Sequence, residues 1–215
     1  QRQWRRTGIM EIRITESRRQ SKTKYRKQLS DILLETALIG LTAGAGLWLV
    51  LEMLTESGQM LPLLGSVLLT ALLCSVTERM EKCGIYIRCG VAAATAGGLF
   101  LLYRQILDGF ALYWNTVADT FGSRAGIYFT RFDTADIMAE DTARLVFLIY
   151  LGMAAAVIGF LILRFRIYVL VFLEIFVLPF MMVLTGKEPE SGVGVAFYMG
   201  IFLEINYLLA RSGRK

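Results

Sequence analysis

The chain has 215 residues, of which 55% are hydrophobic and only 19% charged, against roughly 45–50% and 25% in an average soluble domain. It holds no histidine, three cysteines without a C-x-x-C pair, and three prolines. These counts exclude His-based catalytic triads, the common zinc sites, a disulfide framework and Pro-rich disorder.

The net charge of +5 is unevenly placed. Residues 1–30 carry ten Lys/Arg against two Glu, a local +8, so the other 185 residues sum to −3. A basic tail on an apolar body is the charge pattern of a membrane protein, and no nucleic-acid partner is expected. Within the tail, Arg18, Arg19, Lys22, Lys24, Arg26 and Lys27 form the candidate contact with anionic lipid, at roughly 1 kcal/mol per juxtamembrane cation. Met10 is expected to be the natural start.

Six apolar stretches follow, at 32–54, 60–76, 87–103, 143–163, 167–186 and 193–210. A membrane-crossing helix needs about 20 mostly apolar residues. The expected fold is therefore all-α: a polytopic membrane bundle of six spans over residues 31–210. The first connection, 55–59, lacks Lys/Arg, whereas the second has Arg79 and Lys82. The third, 104–142, has three Lys/Arg and six Asp/Glu. The fourth has Arg164 and Arg166, and the fifth has Lys187 beside two Glu. Basic and non-basic segments alternate. The positive-inside rule then puts both termini in the cytoplasm and the first, third and fifth loops on the outer side of the membrane. The basic end at 211–215 is expected to continue in a longer protein.

Three features invite a chemical reading. Glu174 and Glu204 fall inside the fifth and sixth spans, each on the order of 10 Å from the cytoplasmic end at ~1.5 Å per residue. Asn206 is nearby in sequence, and Arg88 is the expected counter-charge. Acids in lipid usually face a bundle interior or a cavity. They are candidates for a proton or substrate site, or for a purely structural interhelical pairing. Small residues recur at four-residue spacing, as in Gly152 and Ala156 or Gly192, Ala196 and Gly200, which fits close helix packing.

The third loop is the most individual segment. Ile106, Phe110, Trp114, Val117 and Phe121 fall on one face of a helix for which Gly122 is a plausible stop, and Tyr128 follows in a further aromatic run. This stripe is read either as an interfacial helix or as a contact surface for an extracytoplasmic domain. Phosphate-loop and dinucleotide glycine motifs are absent. No catalytic residue, metal site or cofactor is assigned.

The segment Met10-Glu-Ile-Arg-Ile-Thr, the run Leu107-Asp-Gly-Phe-Ala-Leu-Tyr-Trp-Asn-Thr-Val-Ala-Asp119 and the following Gly126-Ile-Tyr-Phe129 resemble the N-terminal membrane region of bacterial transglutaminase-like membrane proteins. The resemblance implies a membrane anchor that orients an outer domain of papain-type fold, whose Cys-His-Asp constellation cannot lie in this His-free chain. It also implies at least one further span before such a domain. The rival expectations are a small transporter or permease subunit using Glu174 and Glu204, and a structural or assembly subunit.

Overall fold

The computed structural model describes residues 28–54, 60–80, 84–126, 128–134, 137, 139–188 and 191–212. The chain divides into two units, Gln1–Leu34 and Glu35–Lys215. Of the first, residues 28–34 are described and are helical. The second holds all the other described residues. The candidate lipid contacts Arg18 to Lys27, and Cys83, lie outside the described residues.

Among the described residues the structure is all-helical and has no strand. The helices are α1 (Gln28–Met53), α2 (Met60–Arg79), α3 (Gly84–Ala125), α4 (Glu140–Phe165), α5 (Tyr168–Thr185) and α6 (Ser191–Ser212). Five of them are long and apolar enough to cross a membrane; α5 is apolar over Tyr168–Val183 but shorter. The chain is therefore a membrane-embedded helical protein by helix length and composition. Large side chains such as Leu101, Phe172, Val183 and Phe202 stay exposed on the helices. Lipid tolerates that surface, whereas water would penalise it.

Lipid tails are as apolar as the helices, so association must come from close packing. Small residues provide it. Ala156 is fully buried, and a Cβ on Gly152 of α4 would run into the Ser66 hydroxyl and lie 2.9 Å from the Leu63 carbonyl oxygen of α2. A Cβ on Gly200 of α6 would lie 2.9 Å from the Leu41 Cβ of α1. By contrast, Gly90 and Gly192 face open space. The resulting core includes Leu38, Ile39, Val67, Ala71, Phe197 and Leu208. A second cluster, Leu51, Met60, Leu63, Tyr113 and Leu148, joins α1, α2, α3 and α4.

Opposite Gly200, α1 departs from regular α geometry. Gly40–Gly44 form a single π-helical turn, in which the Thr42 hydroxyl donates to the Leu38 carbonyl at 3.0 Å. Such turns insert an extra residue into a helix and recur at functional sites.

The helix ends show how the chain alternates. Glu35 near the start of α1 bonds Arg79 at the end of α2, Glu78 pairs with Arg164 near the end of α4, and Arg166 reaches Arg211 near the end of α6. These residues share one end of the bundle, the basic end. From it α1, α3 and α5 lead away, and to it α2, α4 and α6 return. The turn from α4 into α5 is tight. Arg166 adopts a left-handed conformation (φ 57°, ψ 48°), and the amide of Ile167 bonds the Ile162 carbonyl at 3.2 Å.

One expectation is corrected. The sequence separates a span at 87–103 from an amphipathic helix within a loop at 104–142, stopping at Gly122. In the structure, α3 is one uninterrupted helix of 42 residues, about 63 Å long at 1.5 Å per residue. Arg104 and Asp108 interrupt the hydropathy but not the backbone, since neither breaks a helix. The stop is Gly126, whose φ of 65° is open to glycine at little steric cost.

Candidate functional site

Three places gather groups that could act chemically. The first lies at the basic end. The Glu35 side chain is only 4% exposed. Arg79 Nη1 donates to its Oε2 at 2.9 Å, the Tyr207 hydroxyl donates to its Oε1 at 2.6 Å, and Arg211 Nη1 stands 3.6 Å away. Arg79 Nη1 also donates to the Ser75 carbonyl at 2.9 Å, and Arg211 lies over the Tyr207 ring at 6.0 Å. One buried carboxylate thus ties α1, α2 and α6 together. Sequence reasoning missed this network. Its partners lie 44 and 172 residues from Glu35, a distance over which spacing carries no pairing signal. The one local hint is Tyr207 and Arg211, four apart on a helix.

The second place is deeper. The structure brings Glu174 of α5 and Glu204 of α6 within electrostatic range of each other, and Thr42 of the π turn within hydrogen-bond reach of Glu204. Glu204 is 2% exposed. In both carboxyl groups Oε2 is buried and without a hydrogen-bond partner. The other two residues expected at this site lie elsewhere. Asn206 is exposed, and its amide donates to the Phe202 carbonyl of its own helix at 2.8 Å. Arg88 is not the counter-charge of these acids. It sits on α3, where its Nε donates to the Gly84 carbonyl at 3.2 Å. The arginines that do hold a buried acid, Arg79 and Arg211, hold Glu35.

The third place is the far part of α3. Here the chain folds back over Phe110, Trp114 and Phe121 of the helix. Trp114 Nε1 donates to the Thr130 carbonyl at 3.0 Å. Asn115 grips Phe132 twice, donating to its carbonyl and accepting from its amide, both at 2.9 Å. Phe129 packs edge-on against Trp114 and Phe121, and Phe132 against Phe110, which also meets Phe147 of α4. Arg131 pairs with Asp119. Ile106 and Val117 are half-buried on the same helix. Tyr128 is 93% exposed. The aromatic stripe is thus partly covered from within the chain, and Tyr128 stands outside the cover.

Among the described residues, no group of three Cys, Asp or Glu is placed to hold a metal ion. No protein family, curated protein or solved structure matches the chain.

Proposed function

We propose that the chain is the membrane anchor of a larger surface machine: six spans in a bacterial cytoplasmic membrane, both ends inside, with the far part of α3 as a docking stalk. The supporting observation is the length of α3. Its 42 residues reach about 63 Å, against roughly 30 Å of hydrocarbon. The excess carries a return segment, residues 128–134, bonded to Trp114 and Asn115. The contacts of this projection are ring packing, bonds to backbone and the Arg131–Asp119 ion pair. A rigid aromatic mount suits the anchoring of another domain.

The clustering of Arg79, Arg164, Arg166 and Arg211 at one end supports a cytoplasmic assignment of that end. The transglutaminase-like nature of the docked domain is part of the proposal. It rests on the resemblance of residues 107–119 and 126–129, which belong to the stalk and its return.

Photo-crosslinking tests the reading. A crosslinker at Tyr128 in the protein as made by the cell is expected to capture a peptide from an outer domain. A crosslinker at Leu101, on the lipid-exposed part of the same helix, should capture none. Capture of lipid alone at Tyr128, or labelling of a cysteine at Tyr128 only from the cytoplasmic side, refutes it.

A second reading is favoured by two acids, the buried Glu204 and the half-buried Glu174. Glu174 and Glu204, each with one unpartnered oxygen beside a π turn, suit a proton-coupled transport site. Proton flux into vesicles that disappears in Glu204→Gln while the helical fold persists would support it. Absence of flux in the unaltered protein would refute it.

A further inference from the structure

Between α2, α3 and α4 lies a cleft of about 690 Å³, within the roughly 300–1,000 Å³ range of small-ligand sites. Its walls are apolar, with Leu73 from α2, Val91 and Leu99 from α3, and Val157 and Ile158 from α4. Two of the three threonines in the walls are spent within their own helices. Thr77 and Thr95 donate to carbonyls of their own helices, Leu73 at 2.8 Å and Val91 at 2.9 Å. Tyr150 closes the far end, its hydroxyl lying against Gly98.

The near end, by contrast, is charged. Arg88 and Thr77 lie there, one helical turn from the basic end of α3. Arg88 spends its Nε on the Gly84 carbonyl. Among the described residues, no carboxylate pairs with it and nothing bonds its two terminal nitrogens. Those nitrogens are a planar, permanently charged fork of the kind that grips phosphate through two parallel bonds.

The dimensions select the occupant. From Arg88 to Leu99 is eleven residues, about 16 Å along the helix. That is close to one leaflet, half of a ~30 Å hydrocarbon core. A cation at the interface above a greasy trough one leaflet deep matches one molecule that every bacterial membrane supplies. The geometry points to a specific site for an anionic phospholipid, with its phosphate on Arg88 and an acyl chain along the trough between α2, α3 and α4. The inference requires only that these helices cross a bilayer. It is independent of which face is cytoplasmic and of what the stalk docks.

The test is native mass spectrometry of the purified chain, released from micelles doped equally with phosphatidylglycerol and phosphatidylcholine of identical acyl chains. The unaltered protein is expected to retain one phosphatidylglycerol in preference to phosphatidylcholine. Arg88→Gln should reduce that preference by about tenfold, whereas Arg104→Gln, on an exposed part of the same helix, should leave it intact. Ala154→Phe fills the trough from α4 and should lower retention of both lipids without changing oligomeric state. Equal lipid preference in the unaltered protein and Arg88→Gln would overturn the proposal. So would Ala154→Phe dissociating an oligomer while lipid retention stays the same, because the trough would then hold a helix of a second copy.

Discussion

Removing the Glu35 carboxylate probes what holds the basic end shut. At 2.9 Å the Arg79 contact has a gross attraction of about 6 kcal/mol at an effective dielectric constant near 20. Desolvation of a side chain that is 4% exposed offsets most of this. The loss on mutation is larger than the pair's net worth, because the partners are left behind. Truncating one side of a buried pair costs about 3–5 kcal/mol. Here Arg79 is 20% exposed and keeps its bond to the Ser75 carbonyl, which pulls the figure down. The orphaned Tyr207 hydroxyl adds about 1 kcal/mol. We expect Glu35→Ala to destabilise the bundle by about 3 kcal/mol. In thermal melts of the detergent-solubilised protein, that is a fall in Tm of roughly 6–12 °C. Arg79→Ala should cost less, because it leaves Glu35 with Tyr207 and Arg211. A double-mutant cycle between the two should give a coupling of about 1–3 kcal/mol. Single losses below 0.5 kcal/mol that simply add would refute the view that this carboxylate clamps three helices.

Gly152→Leu should destabilise by about 2 kcal/mol or more, since the Leu63 carbonyl it meets is backbone and cannot swing away, while Gly90→Ala, in open space, should be neutral or gain up to ~1 kcal/mol; equal effects in the same melts would discredit the packing argument. Arg166→Gly relieves a left-handed arginine by about 1 kcal/mol but loses the 3.3 Å bond to the Arg211 carbonyl. Its net effect should therefore stay within about 1 kcal/mol, and a larger loss would mean that the arginine does more than turn the chain. Asn115→Leu removes both bonds to Phe132. It should raise hydrogen exchange and protease cleavage across residues 128–134 without shifting the main melting transition, and unchanged protection would show that the ring contacts alone hold the segment.

Much of the bundle was readable because lipid imposes a simple demand, length without a polar face. The stretches at 60–76, 143–163 and 193–210 all fall within helices whose limits lie no more than three residues from the expected ones. The small residues were readable as a class but not individually. Gly152 and Gly200 lie at close approaches, whereas Gly90 and Gly192 do not, because spacing gives a helix face without saying which neighbour covers it. The continuity of α3 beyond Tyr103 was missed for a physical reason. Hydropathy falls at Arg104 and Asp108, yet the backbone runs on because α3 contains no proline and has lateral support. That support comes from α4, where the Ala143 carbonyl and Phe147 sit against Gly109. The stripe at Phe110, Trp114 and Phe121 was visible from its period. Its cover by Phe129 and Phe132 depends on the chain doubling back at Gly126, which no periodicity records. Glu35 escaped notice because a lone acid near a span's start reads as a solvated flank until an arginine from another helix arrives beside it.

The two halves of α3 are held in opposite ways, and that contrast organises the molecule. From Gly109 onward the helix is pressed against α4, with Tyr113 buried beside Leu148 and Phe147 and the return segment bonded to Trp114 and Asn115. Toward the basic end, its side chains from Ile85 to Leu101 are almost all exposed, and it stands off from α2 and α4 across the cleft. A helix gains little from standing alone in lipid, since its own backbone bonds are satisfied there and its neighbours offer only dispersion contact. The position of α3 is therefore set at its far half. The near half follows as a stiff extension, and whatever fills the cleft supports the side that the protein leaves open. The helices α1, α2, α4 and α6 are tied to one another directly. Glu35 ties α1, α2 and α6 at their basic ends, and Glu78 ties α2 to α4 through Arg164 at 2.8 Å. Among the described helices, α3 combines the greatest length, 42 residues, with a wall left open toward the cleft.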